Sequence, residues 1–233
     1  MEVTDHPNPR NMVARRCFLA ADPWQQTQTR YADTMARKPS NQPSSGGELT
    51  IIGGDWRSRK LRFPDAGGVR PTPARTRETL FNWLNNQIPG SHCLDLFSGS
   101  GSLGLEALSR GATAATLVEH NRSLADALRQ NLVLLKASSG TVACQTVEDF
   151  LNHPATRPFD VVFMDPPFHQ GWLERLLPLL VENEWVAPGG YVYVEYESKR
   201  AAPIAPPGWH LHCEKSAGQV AYCLFITDTK NPA

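Results

Sequence analysis

The chain has 233 residues, 41% hydrophobic and 20% charged, which is enough to bury the core of one large domain or two small ones. Its formal net charge is +0, and no stretch approaches the roughly 18 uninterrupted apolar residues of a membrane span. Five scattered cysteines (Cys17, Cys93, Cys144, Cys213, Cys223) form no C-x-x-C pair, so they read as reduced thiols of a cytoplasmic protein with no metal site.

Residues 1–48 are rich in Pro, Asn, Gln, Ser and Arg and show no helical or strand period, which predicts a disordered tail. They also lack the basic-then-apolar pattern of a signal peptide. Leu49 to Phe63 reads as two short strands around a Gly-rich turn. Thr72 is a good helix N-cap with Pro73 at the first helical position, and Leu80, Phe81 and Leu84 mark the buried side of the helix that follows. Residues 49–80 carry seven basic side chains (Arg57, Arg59, Lys60, Arg62, Arg70, Arg75, Arg77) against three acidic ones, a local +4. Such a segment suits a polyanion contact at one end of the molecule, and it would equally suit a solvated hairpin. Residues 49–90 are therefore set apart as a basic extension ahead of a domain spanning 91–233.

From Ser91 onward strands alternate with helices. Strands are expected over Cys93–Phe97, Ala115–Glu119, Val142–Cys144, Phe159–Met164 and Tyr191–Tyr196. Helices are expected over Leu103–Arg110, Ser123–Lys136 and Leu173–Val181, with a short one reaching Leu151. Trp209–Cys213 and Val220–Ile226 read as a closing antiparallel pair. Alternation of this kind predicts an α/β fold, a parallel sheet covered on both faces.

Gly99-Ser100-Gly101-Ser102-Leu103-Gly104 follows a strand and opens a helix, the context in which G-x-G-x-x-G cradles a nucleotide. Glu119 ends the next strand, 20 residues after Gly99, where a carboxylate can accept from two ribose hydroxyls. The loop reads as a site for a nicotinamide or flavin dinucleotide or for S-adenosylmethionine (SAM); a tight strand-to-helix turn with no ligand is its other reading. Asp95, at the end of the first strand of the alternating region, bears on that choice. Its carboxylate would oppose a pyrophosphate, whereas it suits the α-amino group and sulfonium of SAM. A simple loop or helix cap is its other reading.

Asp165-Pro166-Pro167-Phe168 follows an apolar strand, at the sheet edge where such folds bind ligands. Neither proline has an N–H, so the turn offers only acceptors, and the rings fix them in place. An acceptor-only turn fits a substrate group with two N–H donors, such as an exocyclic amine. Phe168 can stack on the ring that carries it.

Taken together, these residues resemble the bacterial methyltransferases that modify guanine N2 in 16S ribosomal RNA, the RsmD family. The resemblance rests on Ile51–Leu61, on Arg70-Pro71-Thr72 with Arg75, Arg77 and Leu80–Leu84, and on Cys93–Gly101. It continues through Leu105–Arg110, Asp165–Phe168, Tyr193-Val194-Glu195 and Gly218–Tyr222. It implies a seven-stranded Rossmann-like class I SAM-dependent methyltransferase fold carrying a small N-terminal β-hairpin and helix. It also implies a monomeric cytoplasmic enzyme acting on 16S rRNA within the small ribosomal subunit or an assembly intermediate. By position, the resemblance assigns Asp165, Pro166, Pro167 and Phe168 to catalysis. It assigns Asp95, Phe97, Gly99, Gly101, Glu119, His120, Thr146 and Val147 to the cofactor, with Thr146 and Val147 near its adenine. The seven basic residues are assigned to RNA. An adenine-N6 or cytosine-N4 DNA methyltransferase would use the same acceptor turn, but a chain of this length has no sizeable target-recognition insertion. A non-enzymatic nucleotide-binding scaffold would not need the intact Asp165–Phe168 turn.

Overall fold

The computed structural model describes residues 46–66 and 71–229. The tail expected over residues 1–48 falls outside them, as do Cys17 and Arg70, except for Gly46–Glu48, which belong to the first strand and not to a tail.

The first strand, β1 (Gly46–Thr50), pairs antiparallel with β2 (Lys60–Pro64) in a two-stranded sheet. Leu49 lies opposite Leu61, and both side chains are buried with Phe63. Helix α1 (Ala74–Trp83) follows. The expected Thr72 cap is not made: Pro73 occupies the N-cap position and no side chain bonds the helix end.

The remaining strands form one seven-stranded sheet: β3 (His92–Asp95), β4 (Ala114–Val118), β5 (Gly140–Ala143), β6 (Phe159–Met164), β7 (Val186–Glu197), β8 (Trp209–Ala217) and β9 (Val220–Thr227). Their order is β5-β4-β3-β6-β7-β9-β8. The first five run parallel, and β9 and β8 close the edge antiparallel. The connecting helices are α2 (Gly104–Ser109), α3 (Arg122–Leu135), α4 (Val147–Leu151) and α5 (Trp172–Glu182). Strand polarity and the closing hairpin agree with the sequence reading, with ends displaced by a few residues.

The sheet separates two apolar layers. One joins Phe163, Tyr193 and Tyr222 to α1, to α2 and α3, and to the β1–β2 hairpin through Leu49, Ile51, Leu61 and Phe63. The other joins Leu94, Val162, Met164 and Val194 to α5. Alternation along each strand produces this division, since successive side chains point to opposite faces. No helix among the described residues is long and apolar enough to cross a membrane.

Candidate active site

Strand β3 lies between β4 and β6, so three parallel strands end side by side. Asp95 ends β3, Glu119 follows β4 and Asp165 follows β6. This is the carboxyl edge of the sheet, where open α/β folds take ligands. The three side chains line a cavity of about 420 Å³, together with Phe97, Ser98, Gly99, His120, Val147, Pro166, Pro167 and Phe168. That volume is typical of a small-molecule site. Three carboxylates face it, and no Lys or Arg does among the described residues.

Asp95 is 2% exposed. Its Oδ2 accepts the Gly104 N–H at 2.9 Å, at the start of α2. The carboxylate therefore both caps a helix and lines the cavity, so the two sequence readings are not exclusive. A Cβ on Gly104 would sit 3.0 Å from Leu117 Cγ and 3.1 Å from Asp95 Oδ2, a tight fit that favours glycine as the third glycine of the motif. Burial pushes the Asp95 carboxyl up to about 7, and the nearby Asp165 and Glu119 charges act in the same direction.

Glu119 anchors the loop. Its Oε2 accepts the Gly99 N–H at 2.8 Å and its Oε1 accepts the Asn121 N–H at 2.7 Å. Each oxygen keeps a further acceptor lone pair for a hydroxyl. His120 is exposed, with Nδ1 3.3 Å from Glu119 Oε1. Val147 and Phe97 supply apolar lining, and the Phe97 ring meets Trp172 edge-on at 5.3 Å.

Two residues expected to touch the cofactor are not on the cavity wall. Gly101 has φ +82° and is pressed against Leu105 and Leu128, so its task is the turn and helix packing. Thr146 spends its hydroxyl as the N-cap of α4, accepting from the Asp149 N–H at 3.1 Å.

The Asp165–Phe168 turn faces the same cavity. Asp165 Oδ2 accepts the Thr72 hydroxyl at 3.2 Å, and Thr72 Oγ1 lies 3.2 Å from Ser102 Oγ. Burial raises the Asp165 carboxyl to about 6, while the bond from Thr72 acts to lower it. The turn is tied down beyond Phe168, where the His169 N–H donates to Glu197 Oε1 at 2.6 Å. Thr72 and Glu195 are site residues to which the sequence reading assigned no place beside Asp165.

The basic residues divide. Arg57, Arg59, Lys60, Arg62 and Arg75 are exposed, and Lys60 pairs with Glu48 at 2.9 Å. Arg77 does not belong with them: its side chain is only 4% exposed. Its guanidinium donates to the carbonyls of Thr72 (3.1 Å) and Thr50 (3.0 Å) and to Glu106 Oε2 (3.2 Å). A guanidinium committed in this way is not available to phosphate. Glu106 also takes Arg110 and the Ile52 N–H, so this buried cluster binds the hairpin, α1 and α2 together.

The comparisons with known proteins agree with this geometry. Residues 49–226 match the family model described as Conserved hypothetical protein 95. The chain is 49% identical over 189 residues to the ribosomal RNA small subunit methyltransferase D of Escherichia coli (strain K12), covering 81% of this chain and 94% of that protein. It is 48% identical to the protein of the same name from Haemophilus influenzae, covering 78% of this chain and 96% of that protein. A solved structure described as a putative methyltransferase yhhF from Escherichia coli superposes with a TM-score of 0.74 at 47% identity, covering 79% of this chain and all of that one. On these matches the chain belongs to the Conserved hypothetical protein 95 family, alongside the ribosomal RNA small subunit methyltransferase D proteins.

Proposed function

We propose that this protein transfers a methyl group from SAM to the exocyclic N2 amine of a guanine in 16S rRNA. The observation that carries the reading is the cavity wall: three carboxylates and no Lys or Arg among the described residues. A dinucleotide pyrophosphate would meet repulsion there, whereas a ligand bearing an ammonium and a sulfonium meets complementary charge. Asp95 faces the ammonium, Glu119 the ribose hydroxyls, and Phe97 and Val147 the apolar adenine. SAM supplies, when bound, a methyl group activated by its sulfonium.

The rest of the chemistry belongs to the chain. An exocyclic amine is a weak nucleophile because its lone pair is conjugated into the ring. Asp165 and the Pro166 carbonyl accept its two N–H bonds and shift electron density toward nitrogen. Phe168 presents a ring face that holds the base once it is out of its stack. The N–H bond of the methylated amine then breaks, its electron pair stays on nitrogen, and Asp165 takes the proton. The turn acts by fixed position and needs no covalent intermediate.

The relatives are named for small-subunit ribosomal RNA, and we assign 16S rRNA as the substrate on that ground. The exposed Arg57, Arg59, Lys60, Arg62 and Arg75 supply the contact to its phosphates, joined by Arg70, which lies outside the described residues. The enzyme acts as a monomer, in the cytoplasm, on small subunits or their assembly intermediates. No feature of the chain favours the DNA alternative. Incubation with labelled SAM and, in parallel, undermethylated small-subunit particles, protein-free 16S rRNA and duplex DNA tests the assignment. Label should enter the particles most strongly and DNA not at all; label in DNA alone would overturn it.

A further inference from the structure

We infer that Glu195 is a positioning residue that works in its protonated form, donating a hydrogen bond that holds the Asp165 carboxylate toward the substrate amine. The inference rests on the reading that Asp165 accepts that amine.

The register of the sheet brings the two carboxyls together. Met164 of β6 lies beside Val194 of β7, so one residue on, Asp165 neighbours Glu195. Tyr193, two residues back, shares the face of Glu195. Tyr222 of β9 is paired with Glu195 from the other side. Thr72, just ahead of α1, closes over the same face and reaches Asp165.

Hydrogen bonds tie each of the two carboxyls to a hydroxyl donor. The Tyr193 hydroxyl donates to Glu195 Oε1 at 2.8 Å. Thr72 has one hydroxyl proton and gives it to Asp165, so Ser102 must be the donor to Thr72. Each carboxyl thus receives one hydroxyl: Asp165 from Thr72, backed by Ser102, and Glu195 from Tyr193. A hydrogen bond between the two neighbouring carboxyls requires a carboxylic acid proton, and in the proposed arrangement that proton sits on Glu195.

The surroundings keep that proton in place. Glu195 is 3% exposed, and no Lys, Arg or His pairs with it among the described residues. The titratable groups around the pair are Tyr193, Tyr222 and Asp95, none of them a cation at neutral pH. Neighbouring carboxyls away from bulk water cannot both ionise at low cost, and here Glu195 is buried while Asp165 is half-buried on the cavity wall. Burial, followed by the Asp165 charge, pushes Glu195 well above the usual carboxylate range, whereas Asp165 is half-buried, faces the cavity and accepts from Thr72, all of which favour its ionised form. The division of labour follows: Asp165 is the charged acceptor and Glu195 its neutral support.

Glu195→Gln and Glu195→Ala separate this role from packing. Gln keeps a donor for Asp165 and an acceptor for Tyr193; Ala removes both. In single-turnover methylation of small-subunit particles, Glu195→Gln should stay within about threefold of the parent, while Glu195→Ala should fall about tenfold or more, the usual effect of losing a bond to a charged group. The acid limb of the pH–rate profile should lie near 6 in the parent and in Glu195→Gln, and should move to higher pH in Glu195→Ala. Carboxyl 13C NMR of the ligand-free protein near neutral pH should show, beside the partly protonated Asp95, a second protonated carboxyl that is absent from Glu195→Gln. Equal impairment of the Gln and Ala variants, or no protonated carboxyl in the parent that Glu195→Gln removes, would overturn the inference. Failure of the parent chain to methylate guanine would count against the functional reading alone, because the NMR signal reports the Glu195 proton without turnover.

Discussion

The Thr72 hydroxyl donates to Asp165 Oδ2 across 3.2 Å, joining the segment ahead of α1 to the turn that follows β6. The bond crosses 93 residues of sequence and links the N-terminal extension directly to the carboxylate proposed to accept the substrate amine. Thr72→Val keeps the shape and removes the donor. It should lower the single-turnover rate about tenfold and leave SAM affinity unchanged, because Thr72 is not on the cavity wall. Thr72→Ser should retain most of the rate. Calorimetry with SAM, run beside the single-turnover assay, checks both halves.

Asp165→Ala should fold and bind SAM, since Asp95 and Glu119 remain in place. Losing a preorganised partner where charge develops costs about 3–4 kcal/mol of barrier, or ~10²–10³ in rate. Phe168→Ala should lose less, about 1–3 kcal/mol, through weaker stacking on the base, and Phe168→Tyr should keep most activity. A near-normal single-turnover rate for Asp165→Ala would exclude the acceptor turn as the source of catalysis.

The basic segment gives two opposite expectations. Arg77→Ala leaves the buried Glu106 short of a partner and should destabilise the fold by about 3–5 kcal/mol, seen as a lower denaturant midpoint. Arg57→Ala with Arg59→Ala should leave that midpoint unchanged. The double variant should instead flatten the salt dependence of RNA binding by roughly one unit for each phosphate that these side chains neutralise. An unchanged salt slope would make these two arginines solvent-facing charges only.

Stability should vary with pH in a direction set by Asp95 and Asp165. Their folded values, about 7 and about 6, lie above the ordinary 3.8 because both are buried. Between pH 3.8 and those values the folded state therefore holds protons that the unfolded state has released. The stability they contribute is fully present at low pH and is lost as pH rises through 6 and 7. From these groups, the melting temperature of the ligand-free protein should fall across that window, and Asp95→Asn should reduce the slope. SAM binding should tighten over the same range as Asp95 becomes charged. A slope unaltered by Asp95→Asn would remove Asp95 from the account.

Much of the site is legible in the sequence because it is local. Gly99–Gly104, Glu119 and Asp165–Phe168 each sit at a strand end, and the alternation of strands and helices places strand ends at one edge of the sheet. What is less legible depends on pairing across distance. Glu195 meets Asp165 only through the β6–β7 register, and Thr72 reaches it only when α1 packs on the sheet. Thr72 looks like a cap because its local context is that of a cap, yet the tertiary bond takes its hydroxyl. Arg77 does carry a signal. It stands three, four and seven residues before Leu80, Phe81 and Leu84, the spacing of one helix face, so the apolar stripe that marks the core marks Arg77 as buried too. Charge counting over a segment misses this, because it ignores which way each side chain points.

The methylation proposed for the carboxylate-lined cavity and its acceptor turn is of an exocyclic guanine amine. Mass spectrometry of nucleosides and mapped fragments, after incubation of undermethylated small subunits with SAM and the purified protein, tests it most directly. The expected result is one added methyl, recovered as N2-methylguanosine at a single position of 16S rRNA and formed about a hundredfold or more slowly with Asp165→Ala. Methyl groups recovered on adenine N6 or cytosine N4, on a guanine ring nitrogen, or equally with Asp165→Ala would contradict it.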